Sequence, residues 1–399
     1  MRDLLLGIPP RDFDIATSAT PDQLRQVYPG ADFVGAHFGV ALISEDGATV
    51  EVATYRRDHE YHDGRRPTEV TFETDPQKDV IRRDFTINGL LLDPESGEVL
   101  DYVGGREDLR LEMVRAIGIP ERRFREDHLR LIRGIRLAAK LGFDIESETE
   151  AAIVRLHPLI QIVSPERVRD ELVRILTEGG ARRGFELLDR TGLLQEVLPE
   201  VAAMKGVRQS PGAHEGSVWM HTLLMLEKLE NPGAELALAV LLHDTGKSLA
   251  FGDGCVDASV HNAHRILTRL RFSNEEAQQV ESLIANHLRF RDVLNMKTSS
   301  LKRFMRLRRF HEHLEFHRLD CLVSHGGLEN YQYVLAKLAE FGEGQIHPPR
   351  LLTGDDLLTL GVPPGPEFGR VLNAVEDAQL EGEIATREQA LDLAKRLLA

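Results

Sequence analysis

The chain has 399 residues, 42% of them hydrophobic and 28% charged, with a formal net charge of −15. At about 150 residues per domain this implies two to three soluble globular domains with ample core material, and the acidic balance argues mildly against a surface that binds nucleic acid throughout. Two cysteines, Cys255 and Cys321, form no CxxC pair, which excludes a disulfide scaffold or a zinc ribbon and fits a reducing cytoplasm.

Taken in chain order, residues 1–112 read as α+β. Short β-rich runs (FDIAT, FVGAHFGVALI, ATVEVATYR, TINGLLLD, EVLDYVG) alternate with turn signals such as PGAD, EDG and DPESG. From about Arg125 the periodicity changes, and HLRLIRGIRLAAKLGF repeats apolar residues every three or four positions, as an amphipathic helix does. Helical patterns continue in SPERVRDELVRILTE, RGFELLDRTGLLQEVL, WMHTLLMLEKLE, ELALAVLLHDTGK, NEEAQQVESLIANHL and REQALDLAKRLL. Ser164 before Pro165 and Ser273 ahead of Glu276 are capping signals. The most apolar run, LALAVLLH at 236–243, is far too short to span a bilayer, and no basic segment with a long apolar stretch opens the chain, so no membrane is expected. FGEGQIHPPR at 341–350 separates a final segment. The expected layout is a small mixed-sheet head over 1–112, a helical neck over 113–200, a helical domain over 201–340 and a C-terminal helical segment over 341–399.

Residues i and i+2 of a strand face one side, so DFDIA would set Asp12 and Asp14 on a common face with Phe13 packing behind. Two convergent carboxylates can bind Mg²⁺ and leave room for phosphate oxygens, as two-metal phosphoryl transfer requires; a surface turn after Pro9-Pro10 gives the same letters. Glu51, interrupting the apolar run TVEVATYR, could supply a third carboxylate. Arg82, Arg83, Asp84 and Asn88 cluster two guanidiniums, a carboxylate and an amide, suited to a triphosphate and a ribose hydroxyl. Gly104-Gly105 suits a hinge. Between Arg115 and Lys140, the cations Arg115, Arg122, Arg123, Arg125, Arg130, Arg133, Arg136 and Lys140 outnumber Glu121, Glu126 and Asp127. That run could hold phosphates or be a solvated helix face.

DFDIAT, RRDFTINGLLLD, DYVGGREDL, REDHLRLIRGIRLAAKLGF and SPERVRDEL follow one another as in class II tRNA nucleotidyltransferases, the CCA-adding enzymes of bacterial and eukaryotic type and close relatives of bacterial poly(A) polymerases. The resemblance covers roughly residues 1–175. It implies a polymerase-beta-like head and an enzyme that adds C, A or both to the tRNA 3′ end from CTP and ATP, without a template. By the same resemblance Asp12 and Asp14 hold catalytic Mg²⁺, while Arg82, Arg83, Asp84 and Asn88 bind ribose and phosphates. Gly104 and Gly105 match the flexible hinge; Glu126, Asp127, Arg130 and Arg133 match the base-reading motif; Glu166, Arg167 and Glu171 match a structural brace. Bare chemistry agrees for the base. Asp127 and Arg130, three apart, would share a helix face; the Asp only accepts and the Arg only donates. Cytosine and adenine each offer an amino donor beside a ring-nitrogen acceptor, whereas uracil and guanine put a carbonyl there, which Asp127 repels.

Further on, His243-Asp244 closes the apolar helix pattern ELALAVLLHDTGK, with His221 upstream and Asp320 downstream. This resembles the HD phosphohydrolase superfamily and implies a second divalent metal on His221, His243, Asp244 and Asp320, with His261, His264 and His287 the next candidate ligands. An inactive HD scaffold is the alternative. His311, His313, His317, His325 and His347 read as surface or capping residues, Trp219 as a core anchor, and Gly354-Asp355-Asp356 as a helix start.

An A-adding or CC-adding specialist fits these motifs equally, and two further rivals stand beside it. A poly(A) polymerase usually carries a basic run after the strand holding the glycine, where this chain has VGAHFGVAL; the other rival is an RNA-binding HD hydrolase with an inactive head. The family pattern before the acidic pair is GGxVRDLLLG, of which Arg2-Asp3-Leu4-Leu5-Leu6-Gly7 are present behind Met1. The expectation is an N-terminally truncated head without its first strand, in which Arg2 reaches toward phosphate from an unanchored end and transfer is poor.

Overall fold

The computed structural model describes residues 1–10, 12–33, 39–45, 47–59, 64, 69–208, 216–249 and 254–398. Residues 34–38 of the VGAHFGVAL run, on which the poly(A) comparison turns, lie outside them.

Strand β1 (Asp14–Thr17), strand β2 (Val40–Glu45) and strand β3 (Ala48–Thr54) form a mixed sheet in the order β1-β3-β2. β1 runs parallel to β3 with Asp14 opposite Glu51, and β2 runs antiparallel to β3 with Leu42 opposite Glu51. Helix Pro21–Val27, opened by a capping box between Thr20 and Gln23, covers one face and buries Leu24 with Ala41 and Val52. That cover stops short of the edge strand. Phe13 is 64% and Ile15 50% exposed, so Phe13 does not pack behind the acidic pair as expected.

The head joins the neck through one continuous core that runs from Phe85 to Val323. Helix Arg130–Leu141 turns Leu131, Ile132, Ile135 and Ala138 inward and stops at Gly142, whose φ of 72° suits glycine. Midway along it, a Cβ on Gly134 would sit 3.0 Å from the fully buried Phe85 ring, so the missing side chain lets the head's phenylalanine seat against the neck helix. The expected boundaries near 112 and 200 do not interrupt this core.

In the body, helix Ala234–Leu242 is apolar all round and buried from Leu236 to Leu242, so it lies central, with Trp219 of helix Val218–Glu227 a buried anchor beside it. Ser273 makes the expected capping box with Glu276; Ser164 stands at its N-cap without a side-chain bond. A second core gathers Phe290, Phe304, Phe310 and Val334, and a third gathers Leu352, Leu357, Val371, Val375 and Ala390. The glycine-rich break falls within Glu329–Ile346, where the non-helical backbone of Gly342 (φ 62°, ψ 170°) separates two helical stretches. Gly354-Asp355-Asp356 does open a helix, Gly354–Thr359, capped by Thr353 and Asp356.

Candidate active site

In-register pairing sets Asp14 and Glu51 side by side on one face of the head sheet, and Asp12 lies two residues before Asp14, just ahead of the strand. All three are exposed. Their side chains make no hydrogen bond or ion pair with another described residue. Among the described residues, the acidic trio does not close to the 4.8 Å mutual spacing of a preformed metal cluster.

The N-terminal residues are better anchored than expected. Met1 packs against the main core, Arg2–Leu5 forms a helical turn, and Arg2 Nη1 donates to Asn88 Oδ1 at 2.8 Å. Arg82 and Arg83 converge on one acceptor, the buried Asp79, at 2.6 and 3.0 Å. Asp79 escaped sequence reasoning; its spacing three and four residues before the arginine pair on helix Pro76–Ile81 was the available signal. Asp84 is not at the surface with them. It is buried and accepts from Phe85 N at 2.8 Å and Asn88 Nδ2 at 3.1 Å, with Arg133 Nη2 2.8 Å from Oδ2. Burial alone would raise its pKa, but Arg133 and these two donors hold it below the usual carboxylate range.

Gly104 and Gly105 are clamped, not loose. Asp101 Oδ1 accepts from the N–H groups of Val103, Gly104 and Gly105, and Oδ2 from that of Arg106, in the first turn of helix Gly105–Arg110. Gly104 needs its φ of 80°, and a Cβ on Gly105 would meet the Thr86 carbonyl oxygen at 2.3 Å. A tight turn packed on the head is the physical role visible here.

The expected Asp127–Arg130 face is broken. Helix Pro120–Glu126 ends at Asp127, whose φ of −142° and ψ of 107° are extended, and the next helix starts at Arg130. Asp127 Oδ1 accepts from Leu129 N, and Arg167 Nη2 donates to Asp127 Oδ2 at 2.9 Å. Arg130 is buried; its guanidinium donates to Glu126 Oε2 at 2.9 Å and to the carbonyls of Arg123 and Arg82, each at 3.0 Å. The brace divides similarly. Glu171 is buried against Arg136 at 2.6 Å, Arg167 holds Asp127, and Glu166 is exposed.

A second cluster lies inside the body. The ligand atoms of His221, His243 and Asp244 are all within 4.8 Å of one another, and all three residues are buried. Asp320 joins from helix Phe310–Ser324, with Oδ1 3.3 Å from His221 Nε2. His243 donates from Nδ1 to the Val240 carbonyl at 2.8 Å, which leaves Nε2 toward Asp244 at 3.3 Å. Lys247 Nζ is 2.7 Å from the same Asp244 carboxylate. Burial opposes the charge on Asp244, yet His243 and Lys247 hold it far below the usual range; on Asp320 the His221 hydrogen bond and His243 do the same. Of the further candidates, His287 is buried with its ring 5.6 Å from that of His243, while His261 and His264 are exposed. His313 and His317 are buried, at 1% and 6% exposure, and not surface residues as expected: they share the inner face of their helix with Phe310 and Leu314.

A carboxylate-bearing mixed-sheet head, fused through one core to a charged helical neck, defines the class of two-part nucleotidyltransferase folds. Comparison with known proteins agrees. Residues 1–115 match the family described as "Poly A polymerase head domain", 142–205 match "Probable RNA and SrmB- binding site of polymerase A", and 254–394 match tRNA nucleotidyltransferase domain 2. The CCA-adding enzyme of Geobacillus stearothermophilus is 42% identical over 193 residues, 48% of this chain and 48% of that protein, so the chain spans about half the length of that relative in this match. The CCA-adding enzyme of Streptococcus pneumoniae strain R6 is 29% identical over 391 residues, 98% of this chain and 90% of that protein. The crystal structure of the Bacillus stearothermophilus CCA-adding enzyme in complex with CTP superposes with a TM-score of 0.76 and 26% identity, covering 99% of this chain and 91% of that one. In three successive stretches the chain is similar to the poly(A) polymerase and CCA-adding nucleotidyltransferase family.

Proposed function

We propose that the chain is a template-independent nucleotidyltransferase that adds C and A to the tRNA 3′ end, with CTP and ATP as donors, in the cytoplasm. The observation that carries this reading is the correspondence over 99% of the chain to a CCA-adding enzyme solved with CTP. The residue arrangement supports it: the in-register Asp14–Glu51 pair lies in the same fold as a neck whose Asp127 has its carboxylate held in place. The four-part division at 112, 200 and 340 is our reading of the same layout.

Asp12, Asp14 and Glu51 offer hard oxygen donors with no competing partner among the described residues, a donor set that suits Mg²⁺. When bound there, Mg²⁺ would lower the pKa of the primer hydroxyl and neutralise charge on the departing pyrophosphate. Arg82 and Arg83 are the phosphate-facing cations, held ready on Asp79 until a triphosphate competes for them. Arg2 and Asn88, already hydrogen-bonded, form one polar edge for ribose. Asp127 accepts the amino group of C or A; Arg130 and Arg133 fix the neck that presents it.

In the body we propose a divalent transition metal on His221, His243, Asp244 and Asp320, serving a phosphohydrolase activity. The mixture of imidazole and carboxylate suits such an ion.

Primer extension tests both parts. Purified protein, a tRNA lacking its CCA end and each NTP separately should give incorporation from CTP and ATP and none from UTP or GTP. No incorporation from either CTP or ATP sinks the transferase reading; long A runs on any RNA favour a poly(A) polymerase. Asp12→Ala should abolish transfer and spare phosphohydrolase activity, and loss of both contradicts two independent sites.

A further inference from the structure

The C-terminal segment meets the body through charge, and its apolar cores stay separate. One core, built on Phe290, Phe304 and Val334, ends at Ile346; the next, built on Leu352, Val371 and Val375, begins beyond the Pro348-Pro349 pair. Between them, helix Thr298–Met305 of the body lies against helix Pro366–Glu381 of the segment. Arg303 pairs with Asp377 and, at 3.0 Å, with Glu376; Arg306 Nη1 reaches the other oxygen of Glu376 at 2.6 Å.

The two helices also cap each other. Glu381 Oε1 accepts from Ser299 N at 2.7 Å, satisfying a free N–H in the first turn of the body helix. Lys302 Nζ donates to the Leu380 carbonyl at 2.8 Å, placing a cation at the C-terminus of the other helix, where the macrodipole favours it. Arg306 Nε bonds the Ile346 carbonyl at 2.5 Å and Gln379 Nε2 the Pro349 carbonyl at 2.8 Å, so the connecting strap is tied into the same network. A cavity of about 120 Å³ lined by Arg350, Leu352, Leu372 and Glu376 remains beside the joint.

We infer that the segment from Leu351 onward is a separately cored unit latched to the body by this ionic clasp, and that raising the ionic strength opens the latch while both cores stay folded. The pairing side chains keep 21–46% exposure, so mobile ions reach them. The Debye length falls from about 10 Å at 0.1 M salt to about 3 Å at 1 M, which weakens such pairs while the apolar cores hold.

Limited trypsin digestion of the full chain reads the latch at the Arg350–Leu351 bond. Cleavage there should rise several-fold between 0.1 and 1 M KCl, with far-UV circular dichroism unchanged. The double variant Arg303→Glu/Arg306→Glu should be cleaved at low salt as fast as the native chain at high salt. Adding Glu376→Arg/Asp377→Arg should restore resistance, and the milder Glu376→Gln should fall between. Salt-independent cleavage of the native chain overturns the inference; so does a charge swap that fails to restore protection in a variant of native circular dichroism.

Discussion

Asp127 is held by Arg167 and not by Arg130, the partner three residues away: Arg167 Nη2 lies 2.9 Å from Oδ2 and 3.2 Å from Oδ1, across from another helix. The clamp fixes which way the acceptor carboxylate faces. Removing it should therefore change discrimination more than turnover. Arg167→Ala is expected to lower kcat/KM for CTP about tenfold, the order of one charged hydrogen bond, and to narrow the gap between CTP and UTP. Arg167→Lys should recover part of both. Steady-state kinetics with each NTP decides, and an unchanged CTP-to-UTP ratio in Arg167→Ala leaves the clamp a purely structural contact.

Asp14 and Glu51 face each other across two parallel strands, and their side chains hydrogen-bond to no other described residue. A side chain with no folded-state hydrogen bond has little stability to lose. Asp14→Asn and Glu51→Gln should each shift unfolding by no more than about 0.5 kcal/mol. Asp14→Asn should nevertheless depress transfer about 10³-fold, at about 1.4 kcal/mol per decade. Urea melts beside primer extension separate the two effects. A large loss of stability in Asp14→Asn would mean the carboxylate serves the sheet.

Much of this was legible in the sequence, for identifiable reasons. Strand alternation and the 3.6-residue apolar period depend on local spacing, so β1, β3 and helix Arg130–Leu141 fell where the pattern put them. The Asp127–Arg130 face was misread because EDHLRLIR carries no proline or glycine to mark the break. The cue was Asp127 itself, a residue type whose side chain caps the turn that follows it. Phe13 was misplaced because alternation says which side a residue takes and nothing about whether that side is covered at a sheet edge. The burial of Asp84 and Arg130 is a tertiary fact, set by how head and neck share Phe85 and Gly134.

That shared joint is electrostatic as well as apolar. Asp84 is buried with a depressed pKa, and its charged form is stabilised by Arg133, Asn88 and Phe85 N–H. A depressed carboxylate contributes stability that is present above its unfolded pKa of about 3.9 and is lost as pH falls through the folded value. Asp84→Asn leaves Arg133 facing a neutral amide and should cost about 3 kcal/mol at pH 7. The gap to the native chain should shrink below about pH 4. Urea unfolding of both proteins at pH 7 and pH 3.5 measures it; a pH-independent gap would assign the loss to packing alone.

The body cluster makes a prediction independent of tRNA chemistry. His221, His243 and Asp244 already sit at ligand spacing, and Asp320 is bonded to His221, so a transition metal meets a nearly assembled site. Lys247 holds the Asp244 carboxylate at 2.7 Å, the position a divalent ion would contest. Calorimetric titration with Mn²⁺ or Co²⁺ should therefore show one body site in the native chain, lost in His221→Gln and retained in Asp12→Ala. Lys247→Gln removes the competing cation and should bind the ion more tightly. Melting temperature in EDTA guards against misreading, since His221→Gln must stay folded for its loss of binding to count. If His221→Gln folds and binds as the native chain does, the imidazoles and carboxylates are a buried polar network and not a metal site.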